Sequence, residues 1–194
     1  FGDTAGTTHV ASIDCLKWWG VTSGLTATRF QPGGNVTRGQ MATFLATWID
    51  DVANRGSGRP LGSNTDEPFT DVPDGHTHRS NIARLYQAGV ISGTSPTTYA
   101  PNAPVTRAQT ASLVRGAVEY VTGGKLAAGR DTFIDDNTSP HEGSIDRLSN
   151  VGVISGTRAF EYTPAAPVSR GAMASLVMRA SDLLVEQGRV SPPR

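Results

Sequence analysis

The five residues Val36-Thr37-Arg38-Gly39-Gln40 recur as Val105-Thr106-Arg107-Ala108-Gln109 and as Val168-Ser169-Arg170-Gly171-Ala172. A Gly-Val pair precedes each copy at a constant distance. Its glycine lies 17 residues before the Thr or Ser in all three cases, at Gly20, Gly89 and Gly152. Matched spacing of this kind indicates an internal repeat in which each copy is one small structural unit. The sequence therefore predicts three tandem units.

Other landmarks keep the same order in every unit. A Phe-x-Asp triplet comes first and ends at Asp3, Asp71 or Asp135, and a proline follows two residues after an aromatic residue, at Pro32, Pro101 or Pro164. We predict unit one at 1–56, unit two at 69–122 and unit three at 133–188. Linkers at 57–68 and 123–132 are rich in Gly and polar residues, so we expect them to be exposed. A tail at 189–194 is expected to fray.

Each unit is predicted to be helix, loop, helix. An Ile-x-x-Leu pair gives the first helix an apolar face, and the glycine of the Gly-Val pair suits the left-handed conformation that ends it. Thr37, Thr106 and Ser169 are the expected N-caps of the second helices. Gln40 and Gln109 complete a capping box, which Ala172 cannot do. Gly56, Gly123 and Gly188 are expected to end these helices. We therefore expect an all-α fold with the units packed about a pseudo-threefold axis.

The composition excludes several classes of protein. The chain has 194 residues, with 17 Lys and Arg against 17 Asp and Glu. A net charge of zero argues against nucleic acid or an anionic membrane surface as a partner. No apolar run is long enough for a membrane span. The single Cys15 cannot form an internal disulfide, and no catalytic or cofactor-binding motif is present. We predict neither an enzyme nor a cofactor.

The ordered set of Phe-x-Asp, Ile-x-x-Leu, Gly-Val, aromatic-x-Pro and Val-Thr-Arg-x-Gln resembles the S-layer homology (SLH) domain, in three tandem copies similar to those of actinobacterial exported proteins. The resemblance implies a three-pronged spindle that anchors a surface protein non-covalently to the cell envelope, outside the cell. It implies a secondary cell-wall polysaccharide as the partner, often carrying pyruvylated N-acetylmannosamine, in grooves between the prongs. The alternative is an assembly module that binds other copies or surface-layer proteins, with vestigial grooves.

The resemblance assigns the acidic sugar to Arg38, Arg107 and Arg170, with help from the loop amides of Gly24, Gly93 and Gly156. We expect each arginine to be the first residue of a helix, beside free N–H groups and the positive end of the dipole. A guanidinium group can also bind a carboxylate with two parallel hydrogen bonds. The candidate set further includes Thr37, Thr106, Ser169, Gln40, Gln109, Asp3, Asp71 and Asp135. Alternatively, the arginines pair with these aspartates and serve only the scaffold.

Three histidines, three tryptophans and two acidic pairs complete the candidates. Three histidines are equivalent by position in the units: His9, His78 and His141. They would bind Zn²⁺ if they converged near the axis. Hydrogen bonding near a helix start is the preferred interpretation, and no metal site is predicted. The tryptophans are interpreted as core or interface residues rather than sugar platforms; they are Trp18, Trp19 and Trp48. Asp50 and Asp51 are expected at a polar helix end, and Asp135 and Asp136 in a polar loop.

Overall fold

A computed structural model describes residues 1–56 and 58–191, and it confirms the all-α fold. Each unit contributes one short and one long helix. The short helices are α1 (Val10–Trp18), α3 (Arg79–Gln87) and α5 (Glu142–Asn150), and the long ones are α2 (Arg38–Arg55), α4 (Arg107–Thr122) and α6 (Arg170–Glu186). Outside these helices, the described residues form isolated β-bridges but no strand. None of the helices described is sufficiently long and apolar to cross a membrane.

The three long helices form the centre of the molecule. They contact one another, and each contributes apolar side chains to one buried core, among them Leu45, Ile49, Val114, Val118, Val177 and Leu184. Trp48 of α2 is 1% exposed, and its indole N–H donates to the hydroxyl of Ser181 in α6 at 2.8 Å. Because this N–H is satisfied, the large ring adds apolar burial to the centre without leaving an unpaired polar group.

A ring of backbone hydrogen bonds marks the pseudo-threefold axis. The N–H of Val36 donates to the carbonyl of Val168 at 3.0 Å, Val168 donates to Val105 at 3.0 Å, and Val105 donates to Val36 at 2.9 Å. All three valines are buried. Each valine stands directly before the N-cap of its long helix, so the ring brings the three helix starts together.

Each prong, which consists of one long helix and the short helix packed on it, combines helices from two different units. The short helix α3 packs on α2, α5 packs on α4, and α1 packs on α6. The short helix of unit one therefore completes the prong of unit three, and the chain closes on itself. No unit contains a complete prong, which explains why its apolar faces need the other two.

The helix ends follow the sequence closely. Thr37 and Thr106 form full capping boxes with Gln40 and Gln109, whereas Ser169 only accepts from the N–H of Ala172. The glycines after the short helices have φ near +70°, as predicted. Gly56 ends α2 as expected, in an extended conformation in which it pairs with Val190.

The expected exposure of the linkers and the tail is wrong in part. Leu61 in the first linker is buried in the core, and Leu126 in the second packs against it. Val190 is also buried, and the N–H of Ser191 donates to the carbonyl of Arg55 at 3.3 Å. The rest of the predicted fraying tail, 192–194, lies outside the described residues.

Candidate functional site

Arg38 lies at the junction between unit one and unit two. Its Nε donates to the carbonyl of Tyr99 at 2.7 Å, and one Nη donates to the carbonyl of Ser92 at 3.1 Å. The guanidinium carbon lies 4.5 Å from the centre of the Tyr99 ring. Arg38 is only 7% exposed. A guanidinium group has five N–H donors, and these two bonds use two of them. Unit two therefore holds Arg38 in a fixed orientation, and these two bonds leave other N–H groups of its guanidinium unused.

The other two arginines repeat this arrangement cyclically. Arg107 of unit two bonds the carbonyls of Tyr162 and Ser155 in unit three, at 2.8 and 3.1 Å. Arg170 of unit three donates from Nε to the carbonyl of Phe30 in unit one at 2.6 Å, and its guanidinium carbon lies 4.6 Å from the centre of the Phe30 ring. Each arginine thus joins its own unit to the next one.

The repeat aspartates hold the loops rather than the arginines. The Asp71 carboxylate accepts from the N–H groups of Tyr99 and Ala100 at 2.8 and 2.7 Å. Although burial raises the pKa of Asp71, these backbone bonds lower it, and the net result lies below the ordinary value. Asp3 and Asp135 bond the equivalent loop N–H groups. Within residues 1–56 and 58–191, no ion pair joins these aspartates to Arg38, Arg107 or Arg170.

The expectation of free N–H groups beside the arginines is wrong. The N–H of Arg38 donates to the carbonyl of Ala103 at 2.9 Å, and that of Gly39 donates to Pro101 at 2.8 Å. Thr37 caps the next N–H group, that of Gln40. Loops of the neighbouring unit satisfy α4 and α6 in the same way. The N–H groups at the helix starts therefore hold neighbouring units together. The positive charge at each helix start comes from the arginine side chain.

The repeat glycines allow a loop to fold tightly beside each arginine. A Cβ added to Gly93 would lie 2.3 Å from the carbonyl oxygen of Ser95 and 2.6 Å from a ring carbon of Phe69. Gly24 and Gly156 are equally close to their own loop carbonyls and Phe rings. Because real Cβ atoms do not approach other atoms so closely, only glycine fits these three positions.

Two grooves lie at the junctions, and each draws on all three units. Groove 1 has a volume of about 270 Å³ and is lined by Arg170, the loop 20–25, Gln40, Thr43, Thr47 and His78, among others. Groove 2 has a volume of about 800 Å³. Its lining includes the equivalent residues Arg38, the loop 88–94, Gln109, Ser112, Gly116 and His141.

The structure thus brings together only part of the predicted set. Arginine, loop glycine and glutamine meet in grooves 1 and 2, and Arg107 and Gly156 hold the corresponding positions at the third junction. The N-cap hydroxyls of Thr37, Thr106 and Ser169 cap their helices. The carboxylates of Asp3, Asp71 and Asp135 accept hydrogen bonds from loop N–H groups. The N-caps and the aspartates therefore hold the elements that form the grooves.

The three histidines do not converge, because each belongs to a different prong. His78 bonds the hydroxyl of Thr43 through Nδ1 at 2.8 Å, His141 bonds Ser112 at 2.8 Å, and His9 bonds Ser175 at 2.9 Å. Burial lowers the pKa of all three. The part of the chain that the structure describes contains no group of three or more His, Cys, Asp or Glu arranged to hold a metal ion.

Sequence reasoning missed the polar residues that the long helices contribute to the grooves. Thr43 and Ser112 occupy equivalent positions next to a groove histidine. Gly116 stands in the middle of α4, where α2 has Thr47 and α6 has Arg179. A glycine inside a helix lowers stability relative to alanine. Gly116 therefore indicates a position where the absence of a side chain is needed, here to keep groove 2 open.

Comparison with known proteins agrees with this architecture. The family model described as the S-layer homology domain matches residues 20–42 and 68–111, which include loop residues and helix starts of grooves 1 and 2. An endoglucanase of Bacillus sp. is 33% identical over 133 residues, covering 64% of this chain and 14% of that protein.

Two further relatives have names that refer to surface structures. A cellulosome-anchoring protein of Acetivibrio thermocellus is 25% identical over 156 residues, which is 78% of this chain and 33% of that protein. An S-layer protein of Bacillus thuringiensis subsp. finitimus is 26% identical over 172 residues, 88% of this chain and 20% of that protein. The chain therefore spans a third or less of these relatives. Its family match is thus to the S-layer homology domain, in two segments of the chain.

Proposed function

We propose that this chain is a non-catalytic anchoring module that attaches a surface protein to the cell wall outside the cell. Its partner in this proposal is a secondary cell-wall polysaccharide with acidic, for example pyruvylated, sugars. The S-layer homology match supports anchoring, as do relatives named a cellulosome-anchoring protein and an S-layer protein. Enzymes among the relatives are much longer than this chain, which matches only 14% of the endoglucanase.

The observation that carries the proposal is the combination of groups in groove 2. A fixed guanidinium group from unit one faces the same space as a glycine loop of unit two and the side chains of Gln109 and Ser112. Arginine suits a carboxylate, because its planar group can donate two parallel hydrogen bonds. Amide and hydroxyl groups suit sugar hydroxyls, since both can donate and accept. This set therefore fits a sugar that carries an acidic group.

Groove 2 is the main site in this proposal, because its volume is about 800 Å³ against about 270 Å³ for groove 1. Gly116 contributes to the difference: it leaves open the position that Thr47 occupies in groove 1. Lys125, Arg115 and Glu119 also line groove 2; because Arg115 pairs with Glu119 at 2.7 Å, Lys125 is the charge that adds to that of Arg38. A larger groove with more positive charge can hold more than one residue of an acidic polymer.

Gly116→Thr is expected to weaken binding of the wall polysaccharide about tenfold, which corresponds to about 1.4 kcal/mol. The new side chain would occupy space in groove 2, because Gly116 lines it. Its Cβ would also press on the loop 88–94, at 3.1 Å from the carbonyl oxygen of Val90. Calorimetry with a solubilised polysaccharide measures the change. The matched control is Thr47→Ala at the same position of groove 1, which should leave affinity within twofold. An unchanged affinity for Gly116→Thr would show that groove 2 is not the main site.

The anchoring proposal is tested by co-sedimentation of the chain with purified cell-wall sacculi. One sample keeps the secondary polysaccharide, and in the other it has been removed by acid. We expect binding to the first sample and loss of binding to the second. Binding that survives the acid treatment would identify peptidoglycan as the partner instead, and absence of binding to both would contradict wall anchoring.

One observation favours the second candidate function, assembly with other copies of the chain. Ile134 and Phe160 are 73% and 66% exposed, and the N–H of Ile134 donates to the carbonyl of Phe160 at 3.0 Å. The equivalent pairs in units one and two are Gly2 with Thr28 and Thr70 with Thr97. Unit three therefore presents a pair of apolar side chains where the others do not. Light scattering tests this candidate, which requires a mass that rises with protein concentration.

A further inference from the structure

Four acidic residues of unit three lie in α5 or in the segment before it. The four equivalent residues of unit two carry no net charge. In unit two these positions hold an ion pair, Glu67 with Arg79 at 2.9 Å, and two buried apolar residues, Val72 and Ala83. Counting from the repeat landmarks Phe133 and Ile145, the equivalents in unit three are Asp131, Glu142, Asp136 and Asp146. All four replacements are acidic, so unit three concentrates negative charge where unit two has none in excess.

Asp136 is the centre of this cluster. It is 0% exposed, and neither of its carboxylate oxygens has a hydrogen-bond partner. Both aspartates lie in a loop as expected, and Asp135 is exposed, but Asp136 is enclosed. Burial and, next, the charge of Asp146 raise the pKa of Asp136 to about 6, with smaller contributions from Glu142 and Asp131. The charged side chains that act on Asp136 are thus all negative. A buried carboxylate without a partner is costly, and a bound ion is one way to remove that cost.

Asp146 is the second buried member. It is 9% exposed, and its Oδ1 also lacks a hydrogen-bond partner. Burial raises its pKa, and the charges of Asp131 and Glu142 raise it further. Asp131 is exposed and Glu142 is half-buried, and neither forms an ion pair in the described part of the chain. Two buried carboxylates and two more accessible ones therefore share one region.

We propose that unit three binds one divalent cation of the calcium class through the carboxylates of Asp136 and Asp146. No three acidic side chains already surround a single point in the described residues. Asp131 and Glu142 can therefore supply oxygen only after their side chains turn inward, and backbone carbonyls or water complete the shell. Calcium tolerates irregular shells of six to eight oxygen ligands, whereas magnesium requires near-octahedral geometry. The irregular donor set of unit three thus favours calcium.

Urea unfolding of the full chain at pH 7.5, in EDTA and in 10 mM CaCl₂, tests this site. With a dissociation constant of about 10⁻⁴ M, as in extracellular calcium modules, 10 mM calcium lowers the unfolding equilibrium constant about 100-fold. Calorimetric titration with CaCl₂ should give one ion per chain. The double variant Asp136→Val with Asp146→Ala restores the residues of unit two, and we expect it to fold and to be insensitive to calcium. Asp14→Ala, at the position of unit one equivalent to Asp146, is the control that keeps the calcium response.

Two results would overturn the cation site. A calcium response that persists in the double variant would place the ion elsewhere. A wild-type chain that ignores calcium would show that the buried pair is not an ion site. In that case the two carboxylates share a proton, and stability would rise as the pH falls from 7.5 towards 5, because the folded-state pKa of Asp136 is raised. The double variant would lose that rise.

Discussion

Arg38→Gln is expected to reduce the affinity for the wall polysaccharide by about 10- to 100-fold. A hydrogen bond to a charged group contributes about 1.5–3 kcal/mol, and most of that interval, up to about 2.7 kcal/mol, corresponds to this range of dissociation constants. Arg38 lines groove 2 and keeps donors that its bonds to Tyr99 and Ser92 do not use. Glutamine retains a polar side chain but has neither the positive charge nor the planar fork. Calorimetry with solubilised polysaccharide measures the loss.

The controls separate this binding loss from damage to the junction. Arg38 also supports the junction of units one and two, so thermal unfolding of the variant must show a folded chain at the temperature of the binding assay. Arg170→Gln makes the same change in the smaller groove 1 and is expected to have the weaker effect on affinity. Arg38→Lys keeps the charge without the fork and should fall between wild type and Arg38→Gln. Full affinity in a folded Arg38→Gln variant would contradict binding in groove 2.

Trp48→Ala is expected to destabilise the chain by about 3–5 kcal/mol, the usual cost of removing a large buried aromatic side chain. The substitution leaves a cavity between the long helices and removes the donor to the Ser181 hydroxyl. For a chain of this size, such a loss lowers the melting temperature by roughly 6–20 °C. Differential scanning calorimetry or circular dichroism measures it.

Trp18→Ala provides the matched control for Trp48→Ala, because it removes the same side chain from a surface position. Trp18 is 63% exposed, so its loss should change the free energy of unfolding by no more than about 0.5 kcal/mol. Equal effects of the two substitutions would mean that the long helices do not form the stabilising centre described above.

Features that depend on neighbouring residues in the chain could be predicted from the sequence. The capping boxes at Thr37 and Thr106 were predicted because the two partners are three residues apart. The missing half of the box at Ser169 was predicted for the same reason. The glycines after the short helices were predicted from the conformation that only glycine adopts at no cost. Local chemistry of this kind needs no knowledge of the rest of the fold.

Features that depend on which unit lies beside which could not be predicted. Nothing near Arg38 in the sequence shows that its partners are Tyr99 and Ser92 of the next unit, or that loop carbonyls occupy the helix-start N–H groups. The same limit applies to Trp18, Trp48 and Asp136. Residue type does not show that Trp18 is exposed, that Trp48 is central, or that Asp136 is enclosed. In each case burial is decided by long-range packing.

Binding of an acidic wall polysaccharide in groove 2 can be observed residue by residue, by titration of the ¹⁵N-labelled chain with an acidic polysaccharide fragment. Amide and arginine Nε resonances report on each groove separately. We expect the largest shifts at residues 88–94, at Gln109 to Gly116 and at Nε of Arg38, with smaller ones at residues 20–25 and Arg170. Shifts confined to the surface around Ile134 and Phe160, or the absence of shifts at a fragment concentration that saturates wall binding, would contradict binding in groove 2.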